Sequence, residues 1–193
     1  MTPNNVRNLV KEGRIYLEQR GIDSPLLDAE LFMSNALGVS RMTLLLEPER
    51  AVTEAEKKLY FEMLEKRGDN IPAQYILGKC EFMSLDFFVN KNVLIPRPDT
   101  ETLVETVLKK AKEEGIISVT DIGTGSGCIA ISLAKYGIDR VKAVDISPKA
   151  LETAAKNAAL NGVSDKIEFL QADALSPDFE IKNVDAVVSN PPY

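Results

Sequence analysis

The spacing of apolar residues changes character twice along the chain. Over the first third they recur every three or four positions, the period of a helix with one buried face. Val6, Leu9, Val10 and Leu17 share such a face, on a helix opened by Thr2-Pro3 and stopped by Gly21. Ser24-Pro25 opens a second helix through Leu27, Leu31 and Ala36-Leu37 to Gly38, and Ser40 caps a short third holding Leu44, Leu45 and Leu46. Thr53 with Glu56 three residues on makes a capping box for a fourth, which Gly68 ends. These helices predict a small bundle over residues 1–72, a scaffold or partner-binding domain with nothing catalytic in its pattern.

Between 73 and 98 the pattern shifts to strands. Glu81-Phe82-Met83 and Phe87-Phe88-Val89, with Asn90 and Asn92 as turn residues, predict a β-hairpin linker. Ile95-Pro96-Arg97-Pro98-Asp99-Thr100-Glu101 follows as a proline-stiffened connector, with Asp99 or Thr100 placed to cap a helix carrying Leu103, Val104, Val107 and Leu108. From Ile116 the alternation is βαβαβ over a domain spanning 99–193, with strands at 116–122, 141–146, 167–171 and 184–189. Helices begin near Gly127 and at Ser147-Pro148. Near-continuous apolar strands joined by helical crossovers imply an α/β fold, a doubly wound parallel sheet of Rossmann type, with its ligand crevice at the carboxyl ends of the strands.

Composition narrows the function classes. The 193 residues are 45% hydrophobic and 27% charged, as in a soluble globular protein. No apolar stretch approaches the roughly 20 residues that span a bilayer, and the first residues lack the features of a secretion signal. Two cysteines, Cys80 and Cys128, and no histidine argue against a disulfide framework and the usual zinc sets, so no metal is expected and the cytoplasm is the natural compartment. Net charge is −6, of which the first 80 residues contribute −1 and the rest −5. Such an acidic chain is not expected to bind nucleic acid directly.

The chemistry lies where strands end. Asp121-Ile122-Gly123-Thr124-Gly125-Ser126-Gly127-Cys128 closes the first parallel strand and opens the next helix. Its G-x-G-x-G spacing departs from the dinucleotide fingerprint, which needs glycine at Cys128, and from a P-loop, which needs a following Lys-Ser/Thr. A merely tight turn would not need three alternating glycines. Asp145, ending the second strand, is placed to accept both hydroxyls of a ribose, whereas helix capping is already served by Ser147. Asp173, in Gln171-Ala172-Asp173-Ala174, either reaches an adenine amino group or is a solvated loop acid. Together they outline a pocket for an adenosine without a required phosphate, best fitted by S-adenosyl-L-methionine.

The fourth strand empties into Asn190-Pro191-Pro192-Tyr193. Prolines stiffen this backbone and free its carbonyls, and Pro191 pushes Asn190 out of the α region. Asn190 Oδ1 and the Pro191 carbonyl are then placed to accept two N–H bonds from one planar nitrogen, with Tyr193 offering a flat face: a clamp for an amide or amino nitrogen.

Ile95–Glu101, Asp121–Gly127 and Asn190–Tyr193, behind a helical N-terminal domain, resemble the release factor glutamine methyltransferases, the PrmC/HemK family. The resemblance covers nearly the whole chain. Asn-Pro-Pro-Tyr is shared with amino-methylating enzymes of DNA and RNA, while Ile95–Glu101 with the helical domain is narrower. It implies methyl transfer to the side-chain N5 of the glutamine in the Gly-Gly-Gln motif of peptide-chain release factors. Asn190, Pro191 and Tyr193 would be catalytic, and these with Pro192 would bind substrate. Asp121, Gly123, Thr124, Gly125, Ser126, Gly127, Asp145, Asp173, Ala174 and Asn190 would hold the cofactor. Two departures stand out. Many members carry an aromatic residue where this chain has Ala174, which weakens adenine packing. The family sheet has seven strands and four are legible here, in the order 3-2-1-4. The chain therefore reads as a fragment ending at the catalytic motif, with low or absent activity and an apolar edge at Val187 and Val188 open to self-association. The rival readings are a nucleic-acid amino-methyltransferase, disfavoured by 6% aromatic content and the acidic balance, and a non-catalytic adaptor that only docks a partner.

Overall fold

A computed structural model describes residues 4–191, and the chain divides into two compact units, one ending at Leu77 and the other starting at Gly78. The first is helical: α1 (Val6–Glu18), α2 (Pro25–Leu37), α3 (Arg41–Leu46), α4 (Glu54–Gly68) and α5 (Ala73–Leu77). Thr2 and Pro3 lie outside the described residues, and α1 itself starts at Val6, with the Asn5 side chain accepting from the Asn8 amide. The capping box on α4 forms in both directions, Thr53 to Glu56 and back. Leu9, Leu17, Phe32, Met33 and Leu64 bury against Tyr60, whose hydroxyl donates to the Leu9 carbonyl at 3.2 Å. Gly13 is needed there because a Cβ would sit 2.0 Å from the Tyr60 oxygen. The short α5 carries no spacing signal of its own, and it lies where the sequence reading places the linker.

The hairpin belongs to the second unit. Strands β1 (Lys79–Phe82) and β2 (Leu85–Phe88) pair antiparallel, and the turn between them is Met83-Ser84, both at positive φ, rather than Asn90 and Asn92. Two consecutive left-handed residues give the twist that a two-residue hairpin needs, which polar residues elsewhere cannot supply. Asn90 instead makes a local turn, its Oδ1 accepting from the Asn92 amide at 2.8 Å. The buried faces of the hairpin meet through Phe82 and Phe87, edge to face with centroids 6.1 Å apart.

After α6 (Asp99–Glu114), the chain lays down β3 (Ser118–Ile122), α7 (Cys128–Tyr136), β4 (Arg140–Asp145), α8 (Pro148–Asn161), β5 (Ile167–Gln171) and β6 (Ala186–Ser189). Neither Asp99 nor Thr100 caps α6: Pro98 is the N-cap residue and no side chain bonds to the first turn. The four parallel strands order as β5-β4-β3-β6. In a parallel sheet of this order, consecutive right-handed crossovers step outward from β3 and then return across it. The ends of β3 and β6 are shorter than the apolar runs suggest because Asp185 accepts from the amides of Ile117 and Ser118, both at 2.9 Å, just before pairing begins. Those two bonds hold the Asp185 carboxyl below its ordinary range and fix the register of β6 on β3. Among the described residues β6 forms one edge, with Val187 50% exposed.

Helix α7 is buried on every side from Cys128 to Ala134, and every residue of that stretch but Ser132 is apolar. Helix α8 offers it a flat strip of Ala150, Ala154 and Ala158. Beside that strip on α8 runs a polar row that holds the hairpin. Asn157, fully buried, accepts from the Phe88 amide at 2.7 Å and donates to the Phe88 and Ser126 carbonyls at 3.0 and 2.8 Å. Thr153 accepts from Asn90, and Asn161 donates to the Asp86 carbonyl. Every hydrogen-bonding group of the Asn157 amide is thus engaged, apart from a spare lone pair, and three backbone groups depend on it. Replacing it leaves the buried Ser126 carbonyl unpaired, at about 1–3 kcal/mol before relaxation, and the part-buried Phe88 amide and carbonyl unpaired at less. Asn157→Ala is expected to destabilise the second unit by on the order of 2–4 kcal/mol in urea denaturation, whereas Asn161→Ala, nearer the surface, costs less than about 1 kcal/mol. Equal losses for the two variants would contradict this assignment.

Candidate active site

Strand register builds the site. Ile122 is opposite Val144 on one side and Ser189 on the other, so β3 and β6 end level while β4 runs one residue further, to Asp145. Gly123 and Asn190, the residues that step out of the sheet, therefore emerge beside Asp145, the last residue of β4. The Ser189 hydroxyl donates to the Ile122 carbonyl at 2.8 Å and ties down the exit of β6. The Val144 carbonyl accepts from Gly123 and Thr124, at 2.8 and 2.9 Å, and bends the chain back over the end of β4.

All three glycines of the loop have positive φ, +73° at Gly123, +57° at Gly125 and +80° at Gly127. Their roles differ. A Cβ on Gly127 would lie 2.9 Å from Ile131 and 3.0 Å from Ala154, so this glycine lets α7 and α8 close together beneath the loop. A Cβ on Gly123 would meet nothing within 4 Å, and one on Gly125 only the Gly123 carbonyl at 3.9 Å. The outer two glycines thus face open space, a cradle in which a ligand can approach bare backbone. Thr124 and Ser126 are buried, so they support the loop from within.

Asp121 lies under the loop and is fully buried. One carboxylate oxygen accepts from the Thr124 hydroxyl at 2.7 Å, and the other has no hydrogen-bond partner among the described residues. Burial pushes the carboxyl up to about 6; the Thr124 hydroxyl and the less well aligned Ala130 amide oppose the shift, and the charge of Asp145 adds to it. Asp121 thus shapes the cradle through Thr124 without presenting its own oxygens to the ligand space. Asp145 is half-buried at the rim, accepting from the Gly125 amide through one oxygen and the Ser147 amide through the other, both at 2.9 Å. Each oxygen keeps a lone pair for a further donor. Ser147 caps α8 as the sequence predicts, accepting from Ala150 at 3.3 Å. Asp173 is exposed and accepts from the Leu175 amide in a local turn, with Ala174 half-buried beside it.

At the end of β6, Asn190 and Ser189 line a cleft of about 460 Å³ with Arg97, Asp99, Thr100 and Leu103. The proline-rich connector and the Asn-Pro motif therefore meet in space, although 90 residues separate Thr100 from Asn190. Pro191 is exposed; Pro192 and Tyr193 lie outside the described residues. Thr100 and Asn157 are the contributors that sequence reasoning passed over. Thr100 stands in the proline-rich connector, where its place before a helix reads only as a cap, and Asn157 shows as a polar residue on the apolar spacing of α8.

A family model described as the PrmC N-terminal domain matches residues 8–78, and one described as ribosomal protein L11 methyltransferase (PrmA) matches residues 99–191. A release factor glutamine methyltransferase from Chlorobaculum tepidum is 40% identical over 198 residues, covering 98% of this chain and 67% of the relative. The chain belongs to the release factor glutamine methyltransferase family. A second member, from Koribacter versatilis, is 46% identical over 179 residues, covering 92% of this chain and 63% of its own. The chain thus spans about two thirds of the length of these curated relatives. Among solved structures, the Pyrococcus abyssi tRNA (uracil-54, C5)-methyltransferase in complex with S-adenosyl-L-homocysteine is 28% identical with a TM-score of 0.49, covering 59% of this chain and 28% of that one. The cofactor of the release factor glutamine methyltransferases is S-adenosyl-L-methionine. The open cradle at Gly123 and Gly125, with the free lone pairs of Asp145 at its rim, fits that molecule.

The buried acid makes stability depend on pH. A folded-state value raised from 3.8 to about 6 means that Asp121 favours folding most when protonated, and this contribution is lost as pH rises through about 6. An asparagine at this position stays neutral. Asp121→Asn is therefore expected to gain stability relative to the parent between about pH 4 and about pH 7, by up to about 3 kcal/mol. Denaturation curves at both ends of that range check this, and a difference independent of pH contradicts it.

Proposed function

We propose that this chain carries the cofactor seat and substrate clamp of an enzyme that transfers a methyl group from S-adenosyl-L-methionine to the side-chain N5 of the Gly-Gly-Gln glutamine of a peptide-chain release factor. The observation that carries this reading is the level ending of β3 and β6, which sets Asn190 beside the open glycine cradle. Family membership supplies the substrate class, and the helical unit, which matches the PrmC N-terminal domain, is the candidate docking part for the release factor.

In this reading Asp145 takes the ribose hydroxyls, while Asp173 and Ala174 lie towards the adenine. The backbone of Gly123–Gly127 cradles the methionine end, held in shape by Asp121 through Thr124 and by Ser126. When bound, the cofactor supplies an electrophilic methyl on its sulfonium. The chain's own task is to present a poor nucleophile, since the amide lone pair is delocalised into its carbonyl. Asn190 Oδ1 and the Pro191 carbonyl each accept one N–H of the substrate amide. They turn its nitrogen towards the methyl and favour the electron shift that bond formation needs, and Pro192 and Tyr193 complete the binding face. The N–C bond would form as the C–S bond breaks, with its electron pair left on sulfur as a thioether, and the methylated amide, now strongly acidic, would release one of its two N–H protons to water, so no strong base is needed. Orientation of this kind is worth roughly 7–11 kcal/mol in favourable cases.

Mass spectrometry of the release-factor peptide after incubation of the intact protein with cofactor is expected to locate one added methyl on the glutamine. Asn190→Ala should lower single-turnover transfer by on the order of 10²-fold or more. A rate within about twofold of the parent, or methyl found on nucleic acid instead, would sink the assignment.

A further inference from the structure

The clamp asks more of Asn190 than its presence. A carboxamide has an accepting end and a donating end of nearly the same size and shape, so packing alone cannot choose between them. To receive an N–H from the substrate, Oδ1 must face the cleft. With the amide reversed, an NH₂ group would confront another NH₂ group, and the clamp would repel what it is meant to hold. Something polar has to hold the inner end, so that the outer end is presented to the substrate N–H that selects Oδ1.

That group is present. Asn190 Nδ2 donates to Thr100 Oγ1 at 3.0 Å, and Thr100 is only 8% exposed. The platform under Thr100 is firm. Pro98 precedes α6 with its φ fixed at −54°, and the Thr100 amide donates to the Arg97 carbonyl at 3.0 Å. Its neighbour Glu101 accepts from the Met83 amide at 2.7 Å, which anchors the same helical turn to the hairpin. Thr100 and Glu101 thus tie the end of β6 and the tip of the hairpin to one turn of α6.

We propose that Thr100 is a positioning residue for methyl transfer: its hydroxyl ties the inner end of the Asn190 carboxamide to α6 and holds the outer end at the cleft, where a substrate N–H selects the sense with Oδ1 outward and Nδ2 donating to Thr100. The inference rests on the functional reading above. It assigns a task to the Pro98–Glu101 segment and makes a hydroxyl-bearing side chain at position 100 a requirement of turnover rather than of folding. Valine has nearly the shape of threonine but offers no acceptor; serine keeps the oxygen.

In the intact protein, Thr100→Val is expected to lower kcat at least about tenfold, with KM for cofactor and for release factor unchanged within about twofold, and Thr100→Ser to recover most of the rate. In an Asn190→Ala background, Thr100→Val should cost nothing further, because the residue it orients is gone. A second readout does not depend on turnover: the Asn190 side-chain NH₂ resonances, assigned by their loss in Asn190→Ala, should exchange with solvent faster in Thr100→Val than in the parent and in Thr100→Ser. A Thr100→Val enzyme with parental kcat, or unchanged exchange at Asn190, overturns the inference. A parent protein that methylates no glutamine overturns the functional reading instead, and the exchange measurement then decides whether Thr100 holds Asn190 at all.

Discussion

The pairing of Ile122 with Val144 on one flank and Ser189 on the other is the constraint from which the site follows. Side-chain direction alternates along a strand, so a slip of β6 by one residue would move Asn190 away from the level of the cradle and turn it to the other face. Asp185 guards against that slip with two backbone bonds to the start of β3, and Ser189 does the same at its end. The register is thus fixed at both ends of a strand only four residues long, where apolar pairing alone would be weakly specific.

The cradle shows the opposite balance, since its geometry carries a cost in stability. Three left-handed glycines forgo side-chain contacts, and Asp121 is sealed under them with an oxygen that no described residue satisfies. A buried carboxyl in such surroundings resists ionisation because desolvation outweighs one hydroxyl bond. Stability is recovered around the loop: in the close packing of α7 on the alanines of α8, and in the Asn157 amide that ties the Ser126 carbonyl to the hairpin. The hairpin is therefore more than a connector, since one amide couples it to the cofactor loop. Exposed pairs such as Lys110 with Glu114 contribute little beside these buried bonds.

Much of this was legible in the sequence, for physical reasons that differ by element. The parallel strands announce themselves as apolar runs, and the caps at Ser147 and Thr53 are short-range chemistry that spacing reveals. The glycine loop was readable because only positive φ explains three alternating glycines. What stayed hidden was non-local or irregular. The Met83-Ser84 turn uses left-handed residues without glycine or asparagine, so no turn signal marks it. Thr100 lies near a helix start, and its proximity to a capping position masked a partner 90 residues away. Asn157 is a polar residue inside a helix, and nothing in its spacing foretells that it will be buried against two backbone segments.

Calorimetric titration of the protein with S-adenosyl-L-methionine, with Asp145→Ala beside it, tests most directly whether the level strand ends form a cofactor seat. The account predicts saturable binding at one site by the parent and affinity reduced at least about tenfold in the variant. Binding undiminished in Asp145→Ala, or none by the parent, would contradict it.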